Sequence, residues 1–380
     1  MVCSIRGKMI YIHVPFCHRK CIYCAFYSVR NSEDRLRSYV DALLAETEQR
    51  RSGLLQRPVR TVYFGGGTPS FLPVEELGRI VEGLHRWFDL SHLEEMTIEA
   101  NPEDLTPQYL SSIIRLGFNR LSIGIQSLDD SMLRFLNRRH SVRQALDAVE
   151  EARRAGFRNI SVDFIYGFPG KFELPEIPEG VTHVSAYSLT VEPGTALALQ
   201  VERGRVHLPD DDEVVRQYHA LRSHLVANGF SQYEISNYAR PGFESKHNSR
   251  YWDRTPYLGL GPAAHSFDGL RRRWNVSNVE EYIAGYSGRI VCGQPCPQHK
   301  RLFEEETLTA DDAYNEMLMT SLRTTRGLPL ASVPESMLEE LQGQMQPYVE
   351  CGWIERTQHA YCPTVEGLLH ADAIASALFR

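Results

Sequence analysis

Three cysteines lie within eight residues near the amino end of the chain: Cys17, Cys21 and Cys24, in the spacing C-x3-C-x2-C. Thiolates at this spacing can bind three corners of a four-iron, four-sulfur cubane. The remaining iron would keep an open coordination position for an exogenous ligand, as catalytic metals do. Two alternatives stay open, namely a zinc site that takes a ligand from elsewhere and three unrelated thiols. Zinc is more typical of paired C-x2-C units, and no second pair follows in the sequence.

Further polar or glycine-containing motifs follow short β-branched runs in the first half of the chain. They are Gly65-Gly66-Gly67-Thr68-Pro69, Glu99-Ala100-Asn101-Pro102, Gln126-Ser127, and Asp163 together with Tyr166-Gly167-Phe168-Pro169. Glycine lets a backbone approach a ligand closely, and carboxylate, amide and hydroxyl groups supply hydrogen bonds. If the preceding runs are parallel strands, all of these motifs lie together at the carboxyl ends of those strands.

The elements that must position these residues alternate between strand and helix patterns. The sequence predicts strands at 9–13, 61–64, 96–99, 120–125, 160–165 and 183–189. Apolar residues three or four apart predict helices between them, at 35–49, 74–87, 108–115, 130–136 and 142–154. This alternation is typical of a parallel sheet with crossover helices. The predicted fold class is therefore α/β, a partial (β/α)6 barrel of the TIM type.

The sequence changes character after about residue 200. We predict that residues 1–200 form the barrel, that 201–300 extend it, and that 301–380 form an α+β appendage. The appendage shows a helix–helix–hairpin–helix order that resembles a winged helix. Residues 171–180 are few and include Pro175 and Pro178, which oppose a helix, so the fifth crossover is predicted to be a loop or a single turn.

Composition excludes several classes of protein. The net charge is −7, and the appendage is rather acidic, which disfavours nucleic-acid binding. No run of 18 apolar residues occurs, so we expect no integral membrane span. The amino-terminal residues do not have the pattern of a secretory signal, and we therefore expect a cytoplasmic protein. In that reducing compartment the eight cysteines are expected to be free thiols or metal ligands rather than disulfides.

A longer series of motifs resembles a known family. The segment Tyr11-Ile12-His13-Val14-Pro15-Phe16-Cys17 with the three-cysteine loop is similar to the opening of the radical S-adenosylmethionine (SAM) enzymes. More narrowly, the chain resembles the oxygen-independent coproporphyrinogen III oxidase family. The resemblance continues through the glycine triad and nearly the whole chain, at Glu99-Ala100-Asn101-Pro102-Glu103, Ser122-Ile123-Gly124-Ile125-Gln126-Ser127, Leu136-Asn137-Arg138-Arg139-His140, Asp163-Phe164-Ile165-Tyr166-Gly167, Glu234-Ile235-Ser236-Asn237-Tyr238, His247-Asn248-Ser249-Arg250-Tyr251-Trp252 and Gly259-Leu260-Gly261.

This resemblance implies two cofactors and assigns residues to them. Cys17, Cys21 and Cys24 would hold a [4Fe-4S] cluster, and SAM would bind its open iron and be cleaved reductively to a 5′-deoxyadenosyl radical. The residues implied to contact SAM are Gly66, Gly67 and Thr68 at the methionine moiety, Arg138 at the carboxylate, Gln126 and Asp163 at the ribose, and Tyr11, Tyr23 and Glu99 nearby. Each of these also has a structural alternative, such as an ordinary turn, a strand-end cap or a helix-end charge.

Two departures from the oxidases point to the HemW branch of this family, whose members are thought to be haem chaperones. The oxidases continue the cluster motif with a fourth cysteine where this chain has Phe26, and they carry a longer segment before the first strand. The branch implies haem, a haem-acceptor protein and a low-potential electron donor as partners. The alternative function is an oxygen-independent coproporphyrinogen III dehydrogenase, which would decarboxylate propionate side chains oxidatively.

A haem site needs an axial ligand and an apolar or aromatic wall. The H-N-x-x-Y-W element offers His247 as the ligand, with Tyr251 and Trp252 as the wall. The alternative is that His247 is a hydrogen-bonded packing residue. Weaker candidates for the ligand are His265, Cys292 and Cys296.

Overall fold

The computed structural model describes residues 8–30, 33–51, 58–170, 172–287 and 301–380, and the statements below concern these residues. In chain order the strands are β1 (Lys8–Val14), β2 (Phe16–Cys17), β3 (Val29–Arg30), β4 (Val59–Gly66), β5 (Glu95–Ala100), β6 (Arg120–Gln126), β7 (Asn159–Tyr166), β8 (His183–Ser188), β9 (Ser231–Gln232), β10 (Asn237–Ala239), β11 (Tyr257–Leu260), β12 (His265–Phe267), β13 (Arg271–Asn275), β14 (Phe303–Thr307), β15 (Leu328–Pro329), β16 (Ile354–Arg356) and β17 (Ala360–Pro363). The α-helices are α1 (Glu33–Arg50), α2 (Val74–Trp87), α3 (Pro107–Arg115), α4 (Asp130–Phe135), α5 (Val142–Ala155), α6 (Ala196–Glu202), α7 (Asp211–Ala227), α8 (Lys246–Trp252), α9 (Val279–Ser287), α10 (Ala310–Leu322), α11 (Leu338–Glu350), α12 (Val365–Leu369) and α13 (Ala371–Ala377).

Six parallel strands, β1 and β4 to β8, form the centre of the main sheet. They confirm the predicted α/β architecture, and each begins and ends within two residues of its predicted bounds. Side chains alternate along β6 between the two faces of the sheet. Leu121, Ile123 and Ile125 are fully buried in the main core, while Ser122 on the other face contacts Asp163 of β7. The polar residues of neighbouring strands therefore share the inner face.

The strands after residue 200 extend the same sheet at both edges. β10 pairs antiparallel with β8, while β11 pairs parallel with β1 and leads through β12 and β13 to β14. In the described residues the two outermost strands, β14 and β9, do not pair with each other, so the barrel is partial. The sheet thus continues to Thr307, and the domain boundaries at 200 and 300 stay predictions.

The connection between β7 and β8 contains no helix in its described residues, as the two prolines predict. It is held to its neighbours at two points. The ring Nε2 of His224 in α7 lies 2.9 Å from the carbonyl oxygen of Pro175, and Arg153 of α5 lies 3.9 Å from Glu179. This segment therefore crosses the outer face of the sheet where other connections place a helix.

The carboxyl-terminal residues have a core of their own. Leu318 and Leu322 of α10 pack with Leu341 and Met345 of α11 and with residues of the hairpin formed by β16 and β17. The predicted helix–helix–hairpin–helix order is present, with β15 added to the hairpin and the last helix divided at His370. Among the described residues, no helix has the length and apolar character needed to cross a membrane.

Candidate functional site at the barrel mouth

The three cysteines follow β1, at the carboxyl end of the parallel strands. Cys17 ends β2, and all three thiols are free and partly exposed. Burial raises the pKa of Cys17 and of Cys24. In the described part of the chain, no three His, Cys, Asp or Glu side chains converge on a point that one metal ion could occupy.

A chain of hydrogen bonds connects two of the cysteines through residues that follow β4, β5 and α4. The Thr68 hydroxyl donates to Cys17 Sγ over 3.4 Å and accepts from Asn101 Nδ2 over 3.3 Å. Arg138 Nη2 donates to Asn101 Oδ1 over 2.7 Å, and its Nη1 donates to Cys21 Sγ over 3.5 Å. The guanidinium therefore lies directly beside a sulfur that the family resemblance implies as an iron ligand. Asn101 has no role in the sequence analysis, although it stands two residues after Glu99 in a quoted motif.

Arg138 is also suited to bind an added anion. Its Nη2 donates to the carbonyl oxygen of Gly124 over 2.5 Å, which fixes the side chain. Its Nε is buried and has no hydrogen-bond partner among the described residues. A buried donor without a partner is costly, and a carboxylate would satisfy it. The donor set at the mouth therefore fits the cluster and SAM that the family resemblance implies. Tyr23 lies beside it, hydrogen-bonded to Cys21, and burial raises its pKa.

The glycine triad is required by packing against β1 and the cysteine loop. A Cβ on Gly66, whose φ is +108°, would lie 2.7 Å from the His13 ring. A Cβ on Gly67 would lie 2.7 Å from the carbonyl oxygen of Phe16, and the Gly67 amide already donates to Val14 over 2.7 Å. These glycines thus allow the end of β4 to pack closely against β1 and the start of the cysteine loop, in addition to any approach to a cofactor.

The other residues predicted to contact SAM lie in the barrel interior or beside its mouth. Glu99 accepts hydrogen bonds from the Tyr63 hydroxyl over 2.8 Å and from the Gly66 amide over 3.3 Å, and burial raises its pKa to about 7. Burial likewise raises the pKa of Asp163. The Tyr11 ring stacks on Tyr63 at 6.2 Å between centroids.

Gln126 ends β6 with a φ of +72°, a left-handed conformation that is uncommon for a residue with a side chain. Its amide nitrogen folds back towards Gly124, where a Cβ would lie 2.9 Å away. The structure therefore places Gln126 beside Arg138, which also contacts Gly124.

Arg120 is an interior residue that the sequence analysis missed. Its side chain is only 1% exposed, and its Nε and Nη1 have no hydrogen-bond partner among the described residues. Its charge opposes the effect of burial on the pKa of both Glu99 and Asp163. A charged residue at the first position of the predicted strand was the available signal, since such a residue on a buried strand must face a polar interior.

His247 lies at the opposite end of the barrel. Its Nδ1 is 2.8 Å from Thr61 Oγ1 near the start of β4, and its Nε2 is 3.0 Å from the Tyr251 hydroxyl. The Glu95 carboxylate, at the start of β5, accepts from the backbone amides of Lys246 and His247. The side chain is fully buried, and burial lowers its pKa to about 3.

These contacts favour a packing role for His247, and its assignment as an axial haem ligand stays a prediction. Both ring nitrogens are engaged, and no part of the ring is exposed, so in this conformation His247 is the packing residue that the sequence left as the alternative. Tyr251 takes part in the same packing, with its ring 4.8 Å from that of Tyr257. Of the weaker candidates, His265 is exposed and stacks on Trp274, and the pair at 292 and 296 lies outside the described residues.

Comparisons with known proteins agree with this architecture. Residues 11–173 match the Radical SAM superfamily, and residues 308–370 match the HemN C-terminal domain. Heme chaperone HemW of Mycobacterium tuberculosis (strain CDC 1551 / Oshkosh) is 36% identical, over 97% of this chain and 94% of that protein. Heme chaperone HemW of Bacillus subtilis (strain 168) is 32% identical, over 97% and 98%. The structure of coproporphyrinogen III oxidase (HemN) from Escherichia coli has a TM-score of 0.80 at 22% identity, over 98% of this chain and 90% of that one, and shares the fold. The chain therefore belongs to the HemW family within the radical SAM superfamily.

Proposed function

We propose that this protein is a haem chaperone that binds a [4Fe-4S] cluster and SAM at the barrel mouth and transfers haem to an acceptor protein. The observation that carries the cofactor part is the hydrogen-bonded chain from Cys17 through Thr68, Asn101 and Arg138 to Cys21. Such a chain fixes the relative positions of two ligands and places a permanent positive charge beside them. A set of unrelated thiols would not need it.

Individual residues take defined parts in this proposal. Cys17, Cys21 and Cys24 bind three irons, and Arg138 binds the SAM carboxylate through its unpartnered Nε. When bound, a reduced cluster supplies the electron that cleaves SAM. In this proposal Gly66, Gly67 and Thr68 form the wall at the methionine moiety. Gln126 and Asp163 bind the ribose, and Tyr11, Tyr23 and Glu99 complete the surroundings.

The haem part of the proposal rests on family membership and on Phe26. This residue stands where the oxidases carry a further cysteine, and its side chain is 70% exposed beside the cysteine loop. The partners are then haem, an acceptor protein and a low-potential electron donor, in the reducing cytosol that keeps the thiols free. The curated relatives named heme chaperone HemW support this assignment.

The cluster is tested by anaerobic reconstitution with iron and sulfide. We expect about four irons per chain in the wild type and a loss of most of this iron in Cys17→Ala. Cys351→Ala is the matched control, because Cys351 is a free, exposed cysteine of the carboxyl-terminal residues. Equal iron loss in both variants would contradict the assignment of the cluster to the amino-terminal loop.

The SAM contact is tested by titration calorimetry on the reconstituted protein. Arg138→Met should weaken SAM binding at least tenfold, while Arg143→Met should leave it unchanged, because the Arg143 side chain is 89% exposed on α5. Iron content measured on the same samples separates a lost SAM contact from a disturbed cysteine loop. SAM binding of wild-type strength in an iron-replete Arg138→Met protein would overturn the assignment.

The function itself is tested by haem titration followed by optical spectroscopy, alongside an assay with coproporphyrinogen III. A chaperone should give a saturable 1:1 Soret band and no protoporphyrinogen IX. Repeated turnover of coproporphyrinogen III would establish the dehydrogenase instead. Absence of both specific haem binding and this turnover would move the protein to another radical SAM reaction.

A further inference from the structure

His265 is an exposed histidine whose ring faces the inner side of the sheet. It begins β12, and the next residue, Ser266, accepts a hydrogen bond from Arg50 of α1 over 2.9 Å, so Ser266 faces the outer layer. Successive side chains of a strand point to opposite faces, which turns His265 inward. Among the described residues neither of its ring nitrogens has a hydrogen-bond partner, and the ring is open to solvent.

The strand that carries His265 begins at the same end of the sheet as the cysteine loop. β11 runs parallel to β1, and the turn at 261–264 that follows β11 leads directly into His265. A Cβ on Gly261 in this turn would lie 2.5 Å from the carbonyl oxygen of His13, so the turn packs on the carboxyl end of β1. His265 therefore lies beside the barrel mouth, at the end of the sheet away from His247.

Three other histidines of the barrel interior differ from His265 in their contacts. In His13, His183 and His247 both ring nitrogens lie within 3.1 Å of a polar partner, and all three side chains are buried. Each of them would have to break a hydrogen bond to bind a metal, whereas His265 would not. Partial burial and the Arg272 guanidinium lower the pKa of His265, so its ring is neutral at neutral pH, the form that binds iron.

Aromatic side chains hold this imidazole and surround it. Trp274 is its cross-strand partner on β13, and the two rings stack with centroids 6.0 Å apart and planes at 23°. Stacking covers a face of the imidazole and leaves the nitrogens at its edge accessible. Tyr257 and Phe267 stand opposite each other on β11 and β12 and share the inner face with His265, which gives the face an aromatic wall.

The charged groups that face His265 are Arg272 and Glu306, which stand opposite each other on β13 and β14. The Nη2 of Arg272 also lies 2.6 Å from Glu316 of α10, so the appendage borders this face. Among the described residues, the other N–H groups of Arg272 make no hydrogen bond or ion pair. They leave donors on this face for a carboxylate such as a propionate.

One free imidazole does not make a site for a metal ion. In the described part of the chain, no group of three His, Cys, Asp or Glu side chains forms such a site. Haem differs because its porphyrin supplies the equatorial ligands, so the protein need add only an axial ligand, commonly a histidine, and an apolar or aromatic wall. A neutral, accessible imidazole beside an aromatic wall matches that requirement.

We propose that His265 is the axial ligand of the haem, with Trp274 orienting the imidazole and with Tyr257 and Phe267 lining the site. This inference rests on the proposed haem function and adds the place of the ligand, on the inner face of the sheet extension beside the barrel mouth. Haem binds there without breaking a hydrogen bond of the barrel interior, which ligation by His247 would require.

The test is a titration of the reconstituted full chain with ferric haem, followed in the Soret region. His265→Ala should weaken haem binding at least tenfold, and added free imidazole should restore the wild-type band because it can replace the missing ligand. Trp274→Ala should weaken binding by less and keep the position of the band, since the ligand remains. His92→Ala is the matched control, because His92 is exposed just before β5, at the other end of the barrel, and it should bind as the wild type does.

The outcomes separate this inference from the proposed function. A wild type without a saturable Soret band would overturn both. Wild-type affinity and an unchanged band in a folded His265→Ala protein, with folding checked by thermal unfolding, would overturn the ligand assignment alone. Loss of binding in a folded His265→Ala protein that imidazole does not restore would also contradict the assignment, because His265 would then shape the site without binding iron.

Discussion

Replacement of His247 by alanine is expected to destabilise the protein without removing a haem ligand. The imidazole is fully buried and bonded to the hydroxyls of Thr61 and Tyr251 at 2.8 and 3.0 Å. Each buried hydroxyl that loses its partner costs about 1–3 kcal/mol. With the cavity that the missing ring leaves, the free energy of unfolding at pH 7.5 should fall by about 3–5 kcal/mol.

The pH dependence of stability provides a second, independent test of this prediction. The folded protein keeps His247 neutral because burial lowers its pKa to about 3, whereas an unfolded histidine has a pKa of about 6.5. Between these values the unfolded state binds more protons, so the wild type loses stability as the pH falls below 6.5. At pH 5 this loss amounts to roughly 2 kcal/mol. The variant lacks this group, and the difference between the two proteins should shrink by the same amount.

Urea unfolding of both proteins at pH 7.5 and pH 5, followed by circular dichroism, measures these differences. His18→Ala is the control, because the His18 side chain is 38% exposed and should change stability by less than about 0.5 kcal/mol. A haem titration under native conditions completes the experiment. If the folded His247→Ala protein lost its Soret band while its unfolding free energy stayed that of the wild type, the packing role would be refuted.

Further predictions concern Gly67 at the mouth of the barrel, Glu99 in its interior and Glu46 of helix α1. Gly67→Ala should reduce reconstituted iron severalfold, because the new Cβ would lie 2.7 Å from a Phe16 backbone oxygen, whereas Gly343→Ala, which meets nothing within 4 Å, should retain it. Burial raises the pKa of Glu99 to about 7, so the folded protein binds this proton more tightly than the unfolded chain does. As the pH rises from 4.5 to above 7, the unfolding free energy of the wild type should therefore fall by roughly 3 kcal/mol relative to that of Glu99→Gln. Parallel pH–stability curves in urea unfolding would contradict this. Glu46→Ala should cost about 3–5 kcal/mol by the same measurement, because that fully buried carboxylate accepts bonds from four groups, and an unchanged midpoint would contradict it.

Much of the barrel could be predicted from the sequence because its information is local. The alternation of apolar residues in β6 and the helical spacing of apolar residues in α5 can each be recognised within a single segment. The two prolines after Lys171 predict a crossover without a helix. Parallel strands then bring their carboxyl ends together, which is why Thr68 after β4 and Asn101 after β5 lie beside the cysteine loop. Asn101 was missed because its role depends on hydrogen bonds to Thr68 after β4 and to Arg138 after α4, which no local pattern encodes.

The edges of the sheet and the position of α8 depend on contacts far apart in the sequence. The short strands β9 to β13 carry too few residues to show a period, and their pairing is decided by the open edges of β1 and β8. His247 looked like a ligand because histidine beside aromatic residues suits both a haem pocket and a packed core. The contacts that favour the packed core, such as the hydrogen bond to Thr61, 186 residues earlier, appear only in the folded chain.

The position of α8 gives the H-N-x-x-Y-W element a structural part in joining the barrel to the carboxyl-terminal residues. Directly after this helix, Arg254 lies 3.2 Å from Glu316 of α10, and Asp253 accepts from Arg326 over 2.9 Å. The helix thus closes the amino ends of β4 and β5 through His247, and the two residues that follow it contact the appendage. A substitution at His247 should therefore loosen the appendage as well as the barrel, which limited proteolysis of His247→Ala would detect as earlier cleavage around residues 301–310. A loss of haem binding in this variant would then have to be compared with the loosening of the appendage before it is assigned to a missing iron ligand.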